Sequence, residues 1–168
     1  MRDTEADTLA PPAAVECALL TLSDQRLPLL IPWSAIAEVL ESLPELLPAD
    51  PAPGWLLGWL SWRELAIPVL DPGGIGEHRA AAPDPGRRLV VLKAIGPAAE
   101  WAFYGLAIRD LPRPLRLGAD SDLRAQPVTP PGGAAMLVEI GGEPALIPDF
   151  ELLETLVRQA QAQAPVAG

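Results

Sequence analysis

One cysteine and one histidine stand in a chain of 168 residues, and that scarcity excludes several chemistries at once. Cys17 has no second thiol for an internal disulfide, and Cys17 with His78 falls short of the soft ligands that a structural zinc or an iron–sulfur cluster needs. Basic charge is also scarce: 12 Lys and Arg against 22 Asp and Glu leave a formal net charge of −10, and no basic run exceeds Arg87-Arg88. Such a surface repels nucleic acid and anionic bilayers. No apolar stretch reaches the roughly 18 uninterrupted residues of a membrane span. The acidic start Met1-Arg2-Asp3-Thr4-Glu5-Ala6-Asp7 has neither the basic residues nor the apolar centre of a secretory signal. These absences lead to the expectation of a soluble cytoplasmic protein with no cofactor, no nucleic-acid partner and no direct membrane insertion.

What is present argues for a folded β protein. The hydrophobic fraction is 49%, and proline (21) with glycine (14) makes up about a fifth of the chain, below the level at which composition implies disorder. So much proline disfavours a helical bundle, because each one removes an N–H donor and clashes with the preceding turn. The length suffices for one domain, or for two very small barrels sharing a core.

Along the chain, residues 1–14 read as a mobile leader, and order begins near Val15. Apolar residues from Val15 to Ser23, the polar turn Ser23-Asp24-Gln25-Arg26, and the run Leu27 to Ile31 read as strand, turn, strand. Pro28 and Pro32 place the second of these at an edge or a bulge. Ser34 to Leu40 is read as a turn leading into a strand, and the proline-rich segment 44–53 as a loop. Trp62 to Asp71 reads as one strand, and residues 72–87 as the most loop-like internal stretch. Strands over Leu89 to Ile95, Trp101 to Ile108 and Arg113 to Leu117 suggest a second small sheet. Residues 118–133 read as an exposed loop. Met136 to Ile140 and Pro144 to Ile147 form a hairpin about Gly141-Gly142, since a glycine pair supplies the positive φ of a tight primed turn. The final helix is capped by Asp149, with Glu151 and Glu154 at its positive end, an apolar stripe of Leu152, Leu153, Leu156, Val157 and Ala160, and a Glu154–Arg158 pair. Beyond Gln161 the polar tail is expected to fray.

Catalytic constellations do not assemble. His78 lies in a Gly/Ala/Pro-rich loop and Cys17 in an apolar strand, so neither has a partner for nucleophilic work, and the glycine pairs lack the spacing of a nucleotide fingerprint. Trp55, Trp59 and Trp62 cluster, a pattern that serves core or interface anchoring more commonly than a ligand cage. Glu38 and Arg63, each beside apolar strand material, either satisfy one another or are two unrelated surface charges.

The segment Gly58-Trp59-Leu60-Ser61-Trp62-Arg63-Glu64-Leu65-Ala66-Ile67-Pro68-Val69-Leu70-Asp71 resembles the signature of CheW-like domains, which are chemotaxis coupling modules. That signature is a glycine, two apolar residues, Asn-Leu-Arg-Gly, two variable positions, and an apolar-Pro-Val-x-Asp strand. Ile31-Pro32 through Leu40, and Met136 through Leu153, are similar to the family's early and closing segments, so the resemblance covers about residues 15–157. Ser61 stands where the family has asparagine, Glu64 where it has glycine, and Pro72 where it often continues with leucine. The Trp-Arg pair and the Gly142-Glu143-Pro144-Ala145-Leu146-Ile147-Pro148-Asp149 segment look closer to the ChpC-like branch of type IV pilus (twitching) chemosensory systems.

The resemblance implies an all-β fold of two small five-stranded SH3-like barrels sharing one hydrophobic core, with a C-terminal α-helix, in a CheW-like domain over 15–160 followed by the tail 161–168. It implies a non-catalytic adaptor that joins the cytoplasmic tip of a methyl-accepting chemoreceptor to the regulatory domain of a CheA-type histidine kinase, held at membrane receptor arrays through protein contacts. Ile36, Glu38, Gly58 and Arg63 match the family's receptor-proximal region, with Glu38 and Arg63 expected as a buried ion pair that costs roughly 3–5 kcal/mol to break. The rival reading is a small β-barrel enzyme or ligand-binding protein with Trp55, Trp59 and Trp62 lining its pocket; another is an assembly subunit that only oligomerises.

Overall fold

The computed structural model describes residues 13–22, 27–50, 52–75, 86–96, 103–130 and 133–162. Its strands are β1 (Val15–Leu20), β2 (Leu29–Pro32), β3 (Ile36–Leu40), β4 (Leu56–Trp62), β5 (Leu65–Leu70), β6 (Arg88–Lys93), β7 (Phe103–Ile108), β8 (Arg113–Leu117), β9 (Leu123–Ala125), β10 (Ala134–Ile140) and β11 (Glu143–Pro148), followed by helix α1 (Phe150–Gln161). They form two sheets, one ordered β8-β1-β2-β11-β10-β9 and the other β3-β6-β7-β5-β4. The all-β expectation with a terminal helix is thus met, but the first sheet has six strands and not five. The extra one is β9, within the stretch read as a loop; three exposed residues flanked by Asp, Ser and Pro carry too little pattern to announce a strand.

The shared core is present. Ala18, Leu20, Leu29 and Ile31 from the first sheet, Leu56, Trp59, Leu70, Val90, Leu106 and Ile108 from the second, and Leu153, Val157 and Ala160 of α1 are all in one buried cluster. The alternation of strand side chains leaves each sheet a second buried face. Leu60, Trp62, Ile67, Val69, Leu89 and Val91 fill that of the five-stranded sheet, and Cys17, Leu19, Leu30, Val138 and Ala145 that of the six-stranded one. Cys17 is therefore a small core residue, and burial with the adjacent Glu16 carboxylate pushes its thiol up from the ordinary value.

Several strand readings are corrected. Trp62 to Asp71 is not one strand: the chain reverses at Arg63-Glu64, and β4 pairs antiparallel with β5 from Leu56↔Leu70 to Trp62↔Leu65. The turn carries neither glycine nor proline, so it left no local signal. β2 is interior, between β1 and β11, despite its prolines. Pro28 precedes the strand and Pro32 ends it, and the Pro28 carbonyl accepts from Leu146 N–H at 2.9 Å, so the missing donors fall where none is needed. The segment around 113–117 does not join β6 and β7 in a second sheet; β8 pairs with β1. The hairpin about Gly141-Gly142 is as expected, with φ of 56° and 86° at the two glycines. Asp149 caps α1 by accepting from Leu152 N–H at 3.0 Å.

The Glu154–Arg158 pair is absent. Glu154 instead accepts from the N–H groups of Ile95 and Gly96 at 2.6 and 2.9 Å, tying the helix to the end of β6, while Arg158 donates to Thr155 Oγ1. Two orphan backbone donors outbid one exposed ion pair. His78, the Ser23–Arg26 turn, the middle of the 72–87 loop and the leader up to residue 12 lie outside the described residues.

Candidate functional site

In the order β3-β6-β7-β5-β4, β3 and β4 are opposite edges of their sheet. Yet Glu38 on β3 reaches the end of β4. Trp62 Nε1 donates to Glu38 Oε2 at 2.7 Å, and Arg63 Nη2 donates to the same oxygen at 3.1 Å. The sheet curls until its edges meet, and this carboxylate clasps them where no backbone ladder does.

Local irregularities aim the three side chains. The β3–β6 register shifts between Ile36 and Glu38, so Ile36 opposes Leu92 and Glu38 opposes Val91. Without that bulge residues 36 and 38 would share a face; with it Ile36 packs on the shared core, while Glu38 lies on the side of Val91 and Trp62. Trp62 is 6% exposed, its ring tilted against Phe103 with centroids 4.7 Å apart. Arg63 occupies the first position of the β4–β5 turn at φ 47°, which swings its guanidinium back over the Trp62 ring, 4.5 Å from the centroid.

Of the four residues singled out from sequence, the structure brings together Glu38 and Arg63. Their side chains are 34% and 66% exposed, which corrects the expectation of a buried pair: exposed pairs contribute about 0–1 kcal/mol and not the larger buried-pair cost. Gly58 is buried at the β4 bulge with φ 148°, and a Cβ there would stand 2.5 Å from the Leu47 carbonyl oxygen. It lets the 46–47 segment cross β4, where Leu47 and Trp59 exchange backbone hydrogen bonds at 2.8 Å. The tryptophans do not form a cage. Trp59 points into the shared core and Trp62 into the cluster on the other face of the sheet. A groove of about 220 Å³ on the six-stranded sheet is lined by Leu19, Leu27, Pro28, Leu115 and neighbours, with no tryptophan among them.

Three residues escaped the sequence reading. Trp62 was one of a cluster, but its role as the donor that orients Glu38 depends on the unseen turn. Asp71 and Arg87, each 4% exposed, form an ion pair at 3.0 Å that joins the two ends of the 72–87 segment, and Asp71 also accepts from Gly73 N–H at 3.1 Å. The signal available was an aspartate ending an apolar strand and an arginine opening the next, two charges too close to core material to stand alone.

The model of the CheW-like domain matches residues 16–157 of the chain. The chain belongs to the CheW-like family. Among solved structures, the scaffolding protein TtCheW from Thermoanaerobacter tengcongensis superimposes with a TM-score of 0.59 at 13% identity, over 88% of this chain and 90% of that one. Its likeness establishes the CheW fold, in which the two sheets are two SH3-like barrels. No curated protein matches the sequence significantly. CheW-like domains act as scaffolds in chemotaxis signalling and not as catalysts.

Proposed function

We propose that the chain is a coupling adaptor that binds the cytoplasmic hairpin tip of a methyl-accepting chemoreceptor with one surface and the regulatory domain of a CheA-type histidine kinase with another. The observation that carries this reading is the clasp: a guanidinium 66% exposed, fixed in direction by Glu38 and Trp62, at the place where the family resemblance puts receptor contact. Arginine held over an aromatic ring and oriented by a carboxylate is pre-organised to bind a partner at low entropic cost. Membership of the CheW-like family and the fold of a named scaffolding protein support the same role. Arg63 is the contacting residue and Glu38 orients it; Gly58 and Ile36 act on the frame, Gly58 at the β4 bulge and Ile36 by packing β3 onto the shared core. The domain spans about 15–160, acts in the cytoplasm at receptor arrays, and makes or breaks no bonds. Within the family we place it on the branch serving type IV pilus (twitching) systems, on the Trp-Arg pair; receptor, kinase and pilus genes beside its own would support that placement.

The test is a pull-down with the receptor hairpin. Arg63→Ala should lose the receptor while its circular dichroism stays that of the wild type; retention at wild-type strength refutes the reading.

A further inference from the structure

Among the described residues, the hairpins β4–β5 and β10–β11 are each closed by two residues at positive φ. In β10–β11 these are Gly141 and Gly142, which adopt 56° and 86° without steric penalty. In β4–β5 they are Arg63 at 47° and Glu64 at 65°, the only non-glycine residues at positive φ among those described. An L side chain in this region crowds the neighbouring carbonyl, so the chain carries side chains at both positions against a backbone preference that it satisfies elsewhere with glycine.

Arg63 has a visible reason, its contacts with Glu38 and Trp62. Glu64 has none among the described residues. It is exposed and makes no hydrogen bond or ion pair with the described residues, and the adjacent cation, Arg63, is already held by Glu38. Beside it Leu65 is 47% exposed, and the cross-strand pair Ser61 and Ala66 is exposed and small. The hairpin end therefore projects a carboxylate next to an apolar side chain, above a low surface that another molecule can approach closely.

We propose that Glu64 determines which receptor docks at Arg63: its carboxylate pairs with a lysine or arginine of the docked receptor hairpin, and the strained backbone is kept for that contact. A carboxylate is an acceptor only, so at a contact surface it requires a donor, and a cation is the donor that also gains from its charge. The inference rests on the receptor-coupling reading above.

Binding of the full chain to the signalling hairpin of a chemoreceptor encoded in the same genome, measured by calorimetry at low and high salt, tests it. Glu64→Gly should raise the melting temperature by roughly 2–4 °C while weakening binding about fivefold at low salt, with a flatter salt dependence. Glu64→Gln should weaken binding similarly and leave the melting temperature alone. A Glu64→Gly chain that melts lower than wild type overturns the proposal, as does either variant binding at wild-type strength. If the wild type itself fails to bind, the coupling reading falls and this one with it. If Arg63→Ala loses binding while the Glu64 variants keep it, only the role of Glu64 falls.

Discussion

Removing the Glu38 carboxylate should cost the fold more than removing the Arg63 guanidinium, although simple ion-pair reasoning makes the two losses equal. Glu38 Oε2 accepts from both Trp62 Nε1 at 2.7 Å and Arg63 Nη2 at 3.1 Å. Arg63→Ala deletes one exposed charge pair, worth about 0–1 kcal/mol, and a cation–π contact at an exposed site, worth about 0.5–1 kcal/mol. Its total is about 1 kcal/mol, because Glu38 remains wetted and still holds Trp62. Glu38→Ala loses the pair and also strands an indole N–H on a residue only 6% exposed, which adds about 1–3 kcal/mol. Trp62→Phe removes that donor, so in its background Glu38→Ala should cost no more than about 1 kcal/mol. Urea unfolding followed by far-UV circular dichroism avoids the change in indole emission, and double-mutant cycles separate the pairs. An Arg63→Ala loss as large as that of Glu38→Ala, or a stronger coupling of Glu38 to Arg63 than to Trp62, would contradict this ranking.

The Asp71–Arg87 pair is buried on both sides, so Asp71→Ala should destabilise by about 3–5 kcal/mol; a loss under 1 kcal/mol in the same urea assay would show that Arg87 does not depend on this carboxylate. Gly58→Ala places a Cβ 2.5 Å from the Leu47 carbonyl oxygen at a φ of 148°, and backbone cannot step aside as a side chain can. A cost of about 2 kcal/mol or more is expected, and a melting temperature equal to wild type would contradict the crossing of 46–47 over β4. Tyr104, the one tyrosine in the sequence, is buried, and burial first and the Glu154 carboxylate second raise its pKa well above the ordinary 10.0. Since the folded chain holds this proton more tightly, stability is complete below about pH 10 and declines above it as the unfolded chain ionises. Tyrosinate absorbance near 295 nm should therefore appear together with unfolding; its appearance in the folded protein would contradict the burial.

Fold class was legible because burial writes itself into strand periodicity: β1, β6, β7 and the Gly141-Gly142 hairpin all carry runs or turn chemistry that report their surroundings. Where the chain departs from local rules it became unreadable. The turn at Arg63-Glu64 uses residues that oppose its own backbone conformation, and missing it merged β4 with β5. The interior place of β2 depended on which carbonyl a proline offers to a strand more than a hundred residues away, and β9 on pairing with β10 alone. At the candidate site the residue types Glu38 and Arg63 were readable, since charges beside core material need partners. Their exposure was not, because it follows from how far the sheet curls. Trp62 as the hinge of the clasp, and the choice of Glu154 for backbone donors over Arg158, are tertiary facts with no sequence periodicity to announce them.

A coupling adaptor must hold two proteins at once through separate surfaces. Sedimentation velocity of the chain mixed with the kinase regulatory domain and the receptor hairpin fragment reads this directly. A boundary containing all three components is expected, from which Arg63→Ala removes the receptor and leaves the kinase. Competition of the two partners for the same chain, or sedimentation of the wild-type chain alone, would contradict it.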